Sequence, residues 1–93
     1  MSPRITVSES GSFIKAKQEA RSKYSRIDQS VEGIMWRLSR SPEDGDILGP
    51  PLSPDYRILS VPPHPSGIPR IWVRYKIQNN HLTLLELTLP DVA

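Results

Sequence analysis

The segment IPRIWVRYKIQNNHLTLLELTL, residues 68–89, constrains the fold more than any other part of the sequence. Four apolar residues stand at every second position of its first half, which is the period of a β-strand: Ile71, Val73, Tyr75 and Ile77. Asn79 and Asn80 tolerate the positive φ of a two-residue turn. An aliphatic strand follows the turn. We therefore predict a β-hairpin in which Ile77 lies opposite Leu82.

The predicted register divides the hairpin between two faces of a sheet. On the apolar face, the second strand contributes Leu82, Leu84, Glu86 and Thr88. The opposite face carries a basic row with one tryptophan beside the remaining residues of the second strand: Arg70, Trp72, Arg74 and Lys76, with Thr83, Leu85, Leu87 and Leu89. A three-residue loop would invert this assignment, because a shift of one residue moves every side chain to the other face.

A short strand and a helix are predicted at the start of the chain. Residues 4–8 alternate as a strand does, and Ser10 or Ser12 then offers a helix cap. The first helix runs from Phe13 to about Ser25, with one narrow apolar stripe: Phe13, Ala16, Ala20 and Tyr24.

The second helix has the stronger apolar stripe, formed by Ile27, Val31, Ile34, Met35 and Leu38. Asp28 is its predicted N-cap, and it ends at Ser41-Pro42 because the residue before a proline avoids the α conformation. The two helices should form a hairpin over a common core. Trp36 falls opposite the stripe. Either the following loop or the first helix covers it, or it remains available to a partner.

Eight of the ten prolines fall within residues 42–69, where DYRILSV is the one strand candidate. Its alternation places Tyr56, Ile58 and Ser60 on one face and Arg57, Leu59 and Val61 on the other. The element order is then β-α-α-β-β-β. We predict one α+β domain, residues 1–93, with a helical hairpin on one face of a mainly antiparallel sheet and the other face open.

Composition excludes several classes of site. The chain has no cysteine, so disulfides, zinc–thiolate sites and thiol catalysis are ruled out. No apolar run approaches the ~20 residues that span a bilayer, so we expect a cytoplasmic protein without a membrane partner. The net charge is only +2, but residues 13–41 carry +4, residues 42–56 carry −4 and residues 57–89 carry +3.

No phosphate-binding glycine loop, nucleophile elbow or metal-ligand spacing is present, so neither a cofactor nor a metal is expected. His64 and His81 are in a proline loop and at the hairpin turn, positions typical of solvated residues. The candidate site is a basic set with one tryptophan: Arg57, Arg70, Arg74, Lys76 and Trp72. Such groups bind phosphates, stack on bases and assist RNA cleavage by 2′-OH attack without metal. Exposed strand faces also carry such residues for solubility alone.

The sequence resembles the RelE/ParE superfamily, the toxins of type II toxin–antitoxin modules. The similarity covers residues 4–89 and consists of a short strand, a helical hairpin ending LSRSP, a glycine-bearing acidic turn, Tyr56-Arg57, the strand RIWVRYKI and an aliphatic last strand. By this resemblance, Arg57 matches an arginine that the family places after the acidic turn. Arg70 or Arg74 matches the arginine of the next strand.

The resemblance implies a compact toxin that a cognate antitoxin neutralises. RelE-like members cut mRNA in the ribosomal A site through basic residues on the sheet, which for this chain implies catalytic Arg57, Arg70 and Arg74 with Lys76 and Trp72 binding the nucleic acid. ParE-like members instead poison DNA gyrase. RelE-like nucleases commonly carry a Tyr or His near the end of the last strand, where this chain reads LTLPDVA. A non-catalytic protein-binding module of the same fold is the third alternative.

Overall fold

The computed structural model describes residues 5–48, 55–65 and 67–90. This part of the chain forms two helices and five strands: β1 (Thr6–Glu9), α1 (Gly11–Arg21), α2 (Ile27–Arg40), β2 (Asp46–Ile47), β3 (Tyr56–Val61), β4 (Ile71–Gln78) and β5 (His81–Thr88). The predicted α+β class and the order β-α-α-β-β-β are confirmed, with the two-residue strand β2 as an addition. The prediction missed β2 because two residues are too short to show a strand period.

The strands form one mixed sheet in the order β1-β5-β4-β3-β2. β1 pairs in parallel with β5, and every other pairing is antiparallel. The helical hairpin carries the chain from one edge of the sheet to the other. The two ends of the described chain therefore meet in the sheet, since β1 and β5 are neighbours although they are far apart in sequence.

The helix ends follow local hydrogen bonding. Ser10 is the N-cap of α1: its Oγ accepts from the Phe13 N–H at 3.1 Å and donates to the Leu85 carbonyl at 3.1 Å. α1 ends at Arg21, earlier than predicted, where the Ser22 hydroxyl donates to the Glu19 carbonyl at 2.7 Å. Serine hydroxyls compete with the helix ladder in this way.

The predicted N-cap of α2 is wrong. Arg26 occupies that position without a side-chain cap, and Asp28 lies inside the first turn. The Asp28 carboxylate instead forms an ion pair with the Arg21 guanidinium at 2.8 Å, which joins the two helices across their link. A carboxylate in the first turn also interacts favourably with the helix dipole.

The core lies between the helical hairpin and one sheet face. Its fully buried side chains come from both layers: Phe13, Ile27, Val31 and Leu38 from the helices, and Ile71, Val73, Tyr75, Leu82 and Leu84 from the sheet. These residues are the apolar positions predicted from the helical and strand periods. None of the helices in the described ranges is long and apolar enough to cross a membrane.

The hairpin turn has the predicted geometry. Asn79 and Asn80 both adopt positive φ, at 51° and 61°, as a two-residue turn with two left-handed positions requires. Ile77 lies opposite Leu82, which confirms the predicted register next to the turn.

The second half of β5 departs from that register at a β-bulge. Tyr75 lies opposite Leu84 while Arg74 lies opposite Glu86, so Leu85 is an additional residue without a direct partner. The bulge moves Glu86 to the open side of the sheet and turns Leu87 inward. The prediction that placed Glu86 and Thr88 on the apolar face, with Leu87 and Leu89 opposite them, is therefore wrong. Burying the Glu86 carboxylate without a partner would be costly, and the bulge avoids this.

Candidate nucleic-acid interface

The sheet face away from the helices, here called the open face, is organised as four rows across the strands. Cross-strand register gives these rows from the hairpin turn outward: Thr6–His81–Gln78, then Ser8–Thr83–Lys76–Tyr56, then Glu86–Arg74–Ile58–Asp46, and finally Thr88–Trp72–Ser60. Cations, carboxylates, hydroxyls and rings therefore share one surface. The rows follow each other at two-residue steps along a strand, about 6.6 Å.

Three predicted site residues meet on the open face: Trp72, Arg74 and Lys76. The Trp72 side chain is 41% exposed, which is unusual for so large an apolar group. Tyr56 lies directly opposite Lys76. The open face thus presents two rings with a lysine and an arginine on adjacent strands.

Arg74 is partly neutralised on this face. Its Nη2 donates to Glu86 Oε1 at 2.5 Å, and its Nε has no hydrogen-bond partner among the described residues although it is buried. Lys76 forms no ion pair with any residue in the described part of the chain. Lys76 is therefore the cation on this face whose charge an approaching anion meets uncompensated. Arg70 stands half-buried just before β4 and outside the four rows.

Arg57 lies on the opposite side of the sheet, so its predicted membership of the basic surface is wrong. Its cross-strand neighbours are Tyr75 and Ile47, which belong to the helix side. The Arg57 Nη1 donates to the Gly45 carbonyl at 2.9 Å and to the Glu43 carbonyl at 3.3 Å. Arg57 holds the loop after α2 and is unavailable to a ligand on the open face.

The same loop is held from inside by Tyr75. The Tyr75 hydroxyl donates to the Pro42 carbonyl at 2.8 Å and accepts from the Gly45 N–H at 2.9 Å. A Cβ at Gly45 would approach the Tyr75 hydroxyl to 2.5 Å and the Ile58 carbonyl oxygen to 2.9 Å. Only glycine fits this close approach. Burial raises the pKa of the Tyr75 hydroxyl above its ordinary value of 10.0, against the hydrogen bond from Gly45 and the nearby Arg57 charge, which lower it.

We expect this raised pKa to make the protein lose stability in alkali. Tyr75 is neutral in both states below its unfolded pKa, so its full contribution is present there. As pH rises through about 10 the unfolded chain ionises first, and stability falls until the folded group ionises too. Urea unfolding at pH 8, 10 and 11 measures the loss. Tyr75→Phe should show a shallower decline, and equal declines in both proteins would contradict the assignment.

His81, which the sequence analysis interpreted as a solvated residue at the hairpin turn, lies on the open face. The ring is exposed, and its Nε2 lies 2.7 Å from the Ser8 Oγ. This contact joins residues 73 positions apart and exists because β1 pairs with β5, a pairing that no local pattern reveals. The sequence signal was only an alternation that places Ser8 and His81 on polar faces of their strands. His64 lies in the proline loop between β3 and β4, away from the four rows.

Trp36 forms a second exposed aromatic site on the outer side of α2. The side chain is 59% exposed, and the Arg40 guanidinium carbon lies 4.3 Å from the ring centroid. Neither α1 nor the described part of the following loop covers the ring. The alternative in which Trp36 is shielded is therefore wrong. Two exposed tryptophans thus mark two separate surfaces, with Trp72 on the sheet and Trp36 on the helix.

Comparison with known proteins leaves the family open. No protein-family model matches the chain, and no curated protein matches its sequence significantly. Among residues 5–48, 55–65 and 67–90, no group of three His, Asp or Glu side chains lies close enough together to hold a metal ion.

Proposed function

We propose that the protein is the toxin of a type II toxin–antitoxin module and inhibits growth in the cytoplasm by ribosome-dependent cleavage of mRNA. The observation that supports this most is the composition of the open face, where Lys76 lies opposite the Tyr56 ring and Arg74 lies between Lys76 and the Trp72 ring along β4. Phosphate-binding cations beside aromatic stacking platforms are the usual means of holding single-stranded RNA.

Each side chain has a definite task in this proposal. The Lys76 ammonium contacts a phosphate, since no described residue compensates its charge. The Trp72 ring stacks on a base about two rows, or 13 Å, farther along the strand. Arg74 either exchanges its Glu86 partner for a phosphate or contacts Glu86 and a phosphate together and so orients the RNA strand. Arg70 joins the phosphate contacts just before the start of β4. Arg57 has a structural task, because both of its described hydrogen bonds go to loop carbonyls.

The location of the candidate residues on one face of a sheet favours a partner-dependent reaction. A sheet surface holds RNA on one side only, so a second surface must press the strand into a reactive geometry. A ribosome that presents mRNA on its own rigid scaffold supplies this. A cognate antitoxin that covers the open face inhibits the toxin by blocking its contact with RNA. The proposal requires no metal or cofactor.

Inducible expression in a bacterial host tests this function. Induction should stop growth and cut transcripts within coding regions, as primer extension detects. Lys76→Ala combined with Trp72→Ala should restore growth at the same protein level. Normal growth on induction of the wild-type chain would refute the toxin proposal. Growth arrest with a DNA-damage response and intact mRNA would identify a gyrase poison instead.

The exposure of Trp36 favours a second candidate, a non-catalytic module that binds a protein through α2. Tryptophan is enriched among residues that dominate binding energy. The Arg40–Trp36 stack is the feature such a partner would cover. In that case Trp36→Ala abolishes partner binding, while Lys76→Ala and Trp72→Ala leave it unchanged.

A further inference from the structure

We infer that His81 is the general base of the proposed cleavage reaction and that Ser8 positions its ring. The inference rests on the proposed function and adds an imidazole to the cations, rings and carboxylates of the open face, where the Glu86 carboxylate is already paired with Arg74. Cations and rings bind RNA and stabilise charge, but a 2′-hydroxyl must also lose its proton before it attacks phosphorus. An exposed imidazole on the same surface supplies an acceptor.

The register brings His81 next to the uncompensated cation. Lys76 lies opposite Thr83, and His81 is two residues before Thr83 on the same face. His81 and Lys76 are therefore diagonal cross-strand neighbours, about 7–8 Å apart between Cα atoms. A phosphodiester held by the Lys76 ammonium then has its sugar within reach of the imidazole. Arg74 and Trp72 extend the binding surface away from this point along β4.

The hydrogen bond to Ser8 gives the ring a defined orientation. The Ser8 Oγ and the His81 Nε2 lie 2.7 Å apart. In the tautomer whose Nε2–H donates to this hydroxyl, Nδ1 keeps its lone pair and is the basic atom. Ser8 itself is held at the edge strand β1, opposite Thr83. Ser8 is thus a positioning residue, which acts on the reaction through His81.

The chemical step is complete with these groups and water. Nδ1 of His81 takes the proton of the 2′-hydroxyl, and the 2′-oxygen forms a bond to the adjacent phosphorus. The bond from phosphorus to the 5′-oxygen breaks, and that oxygen leaves with a proton from water. The Lys76 ammonium stabilises the charge that develops on the phosphoryl oxygens. The products are a 2′,3′-cyclic phosphate and a 5′-hydroxyl, and the imidazolium returns its proton to solvent.

The proposed base lies at the opposite end of β5 from Thr88. β5 begins at His81 and ends at Thr88. The base therefore stands at the start of the strand whose far end reads LTLP and carries neither Tyr nor His. Catalysis at this site needs no group from that end.

Single-turnover cleavage of mRNA in programmed ribosomes tests the inference, with full-length protein throughout. His81→Ala should slow cleavage about 100- to 10,000-fold at saturating toxin, the range for loss of a general base. The concentration of toxin giving half-maximal rate should change little. Added imidazole should restore part of the rate of His81→Ala. Ser8→Ala should slow cleavage about five- to tenfold, since it loses one net hydrogen bond.

His64→Ala is the matched control, because it removes the other histidine from a loop off the sheet. It should cleave within about twofold of wild type and gain nothing from imidazole. His81→Gln keeps a polar side chain of similar size and guards against misfolding, which a thermal melt also monitors. Wild-type cleavage that survives both His81 substitutions overturns the base assignment and leaves the toxin function standing. Absence of cleavage by the wild-type protein overturns both.

Discussion

Tyr75→Phe is expected to lower the free energy of unfolding by about 1–3 kcal/mol. The substitution removes one hydroxyl that forms two hydrogen bonds to the loop after α2, and it leaves the buried Gly45 N–H without its acceptor. The Pro42 carbonyl loses its donor at the same time. For 93 residues the whole stability is roughly 5–14 kcal/mol, so one oxygen atom carries a sizeable share of it. Urea denaturation followed by circular dichroism measures the difference.

Tyr56→Phe is the matched control for this prediction. The Tyr56 ring lies on the open face, half-buried, and its hydroxyl has no hydrogen-bond partner among the described residues. Removing that hydroxyl should change stability by no more than about 0.5 kcal/mol. Equal losses in the two variants would show that the loop contacts of Tyr75 do not stabilise the fold.

Gly45→Ala tests the same contact from the loop side. The added methyl group must displace the Tyr75 ring or the Ile58 carbonyl, and we expect a loss of about 1–3 kcal/mol. In the Tyr75→Phe background the closest clash is gone and the hydrogen bond is already lost. The double variant should therefore lose less than the sum of the two single losses, which a double-mutant cycle resolves.

Trp72→Ala is expected to weaken binding of single-stranded RNA about 5- to 140-fold, the equivalent of 1–3 kcal/mol for one stacked base. Lys76→Ala should weaken binding through charge instead. Its loss should reduce the dependence of log affinity on log salt concentration by about 0.7, the value for one phosphate contact on a single strand. Trp72→Ala should leave that dependence unchanged. Fluorescence anisotropy of a labelled RNA of about ten nucleotides, at several salt concentrations, measures both effects.

The control for this pair is Trp36→Ala, which removes a more exposed ring from α2, on a separate surface. It should bind RNA with wild-type affinity and wild-type salt dependence. Weakened binding in Trp36→Ala together with normal binding in Trp72→Ala would move the interface from the sheet to α2.

The spacing of apolar residues along each segment was sufficient to predict most of the fold. The alternation of Ile71 to Ile77 and the Asn79-Asn80 turn determine the hairpin next to its loop, and the apolar stripe of α2 identifies the helix face that is buried. The bulge at Leu85 was not predictable from that spacing. The bulge is explained by tertiary contacts: the Leu87 side chain is buried in the core, and the Glu86 carboxylate forms an ion pair with Arg74.

The candidate site was predicted only where it depends on one strand. Trp72, Arg74 and Lys76 share a face because they alternate along β4. Arg57 was misassigned since nothing in its sequence context reports which face of β3 turns toward the helices. The His81–Ser8 contact was missed because it depends on a parallel pairing between the first and last strands, whose partners a single sequence does not identify.

The two tryptophans provide the most direct test that the open face binds RNA. Trp36→Phe leaves Trp72 as the sole tryptophan, and Trp72→Phe leaves Trp36. Both variants keep an aromatic ring at the substituted position. Titration with single-stranded RNA should quench the fluorescence of Trp72 in the first variant and leave Trp36 unchanged in the second. Quenching of Trp36 alone, or of neither ring at RNA concentrations up to the solubility limit, would contradict the account.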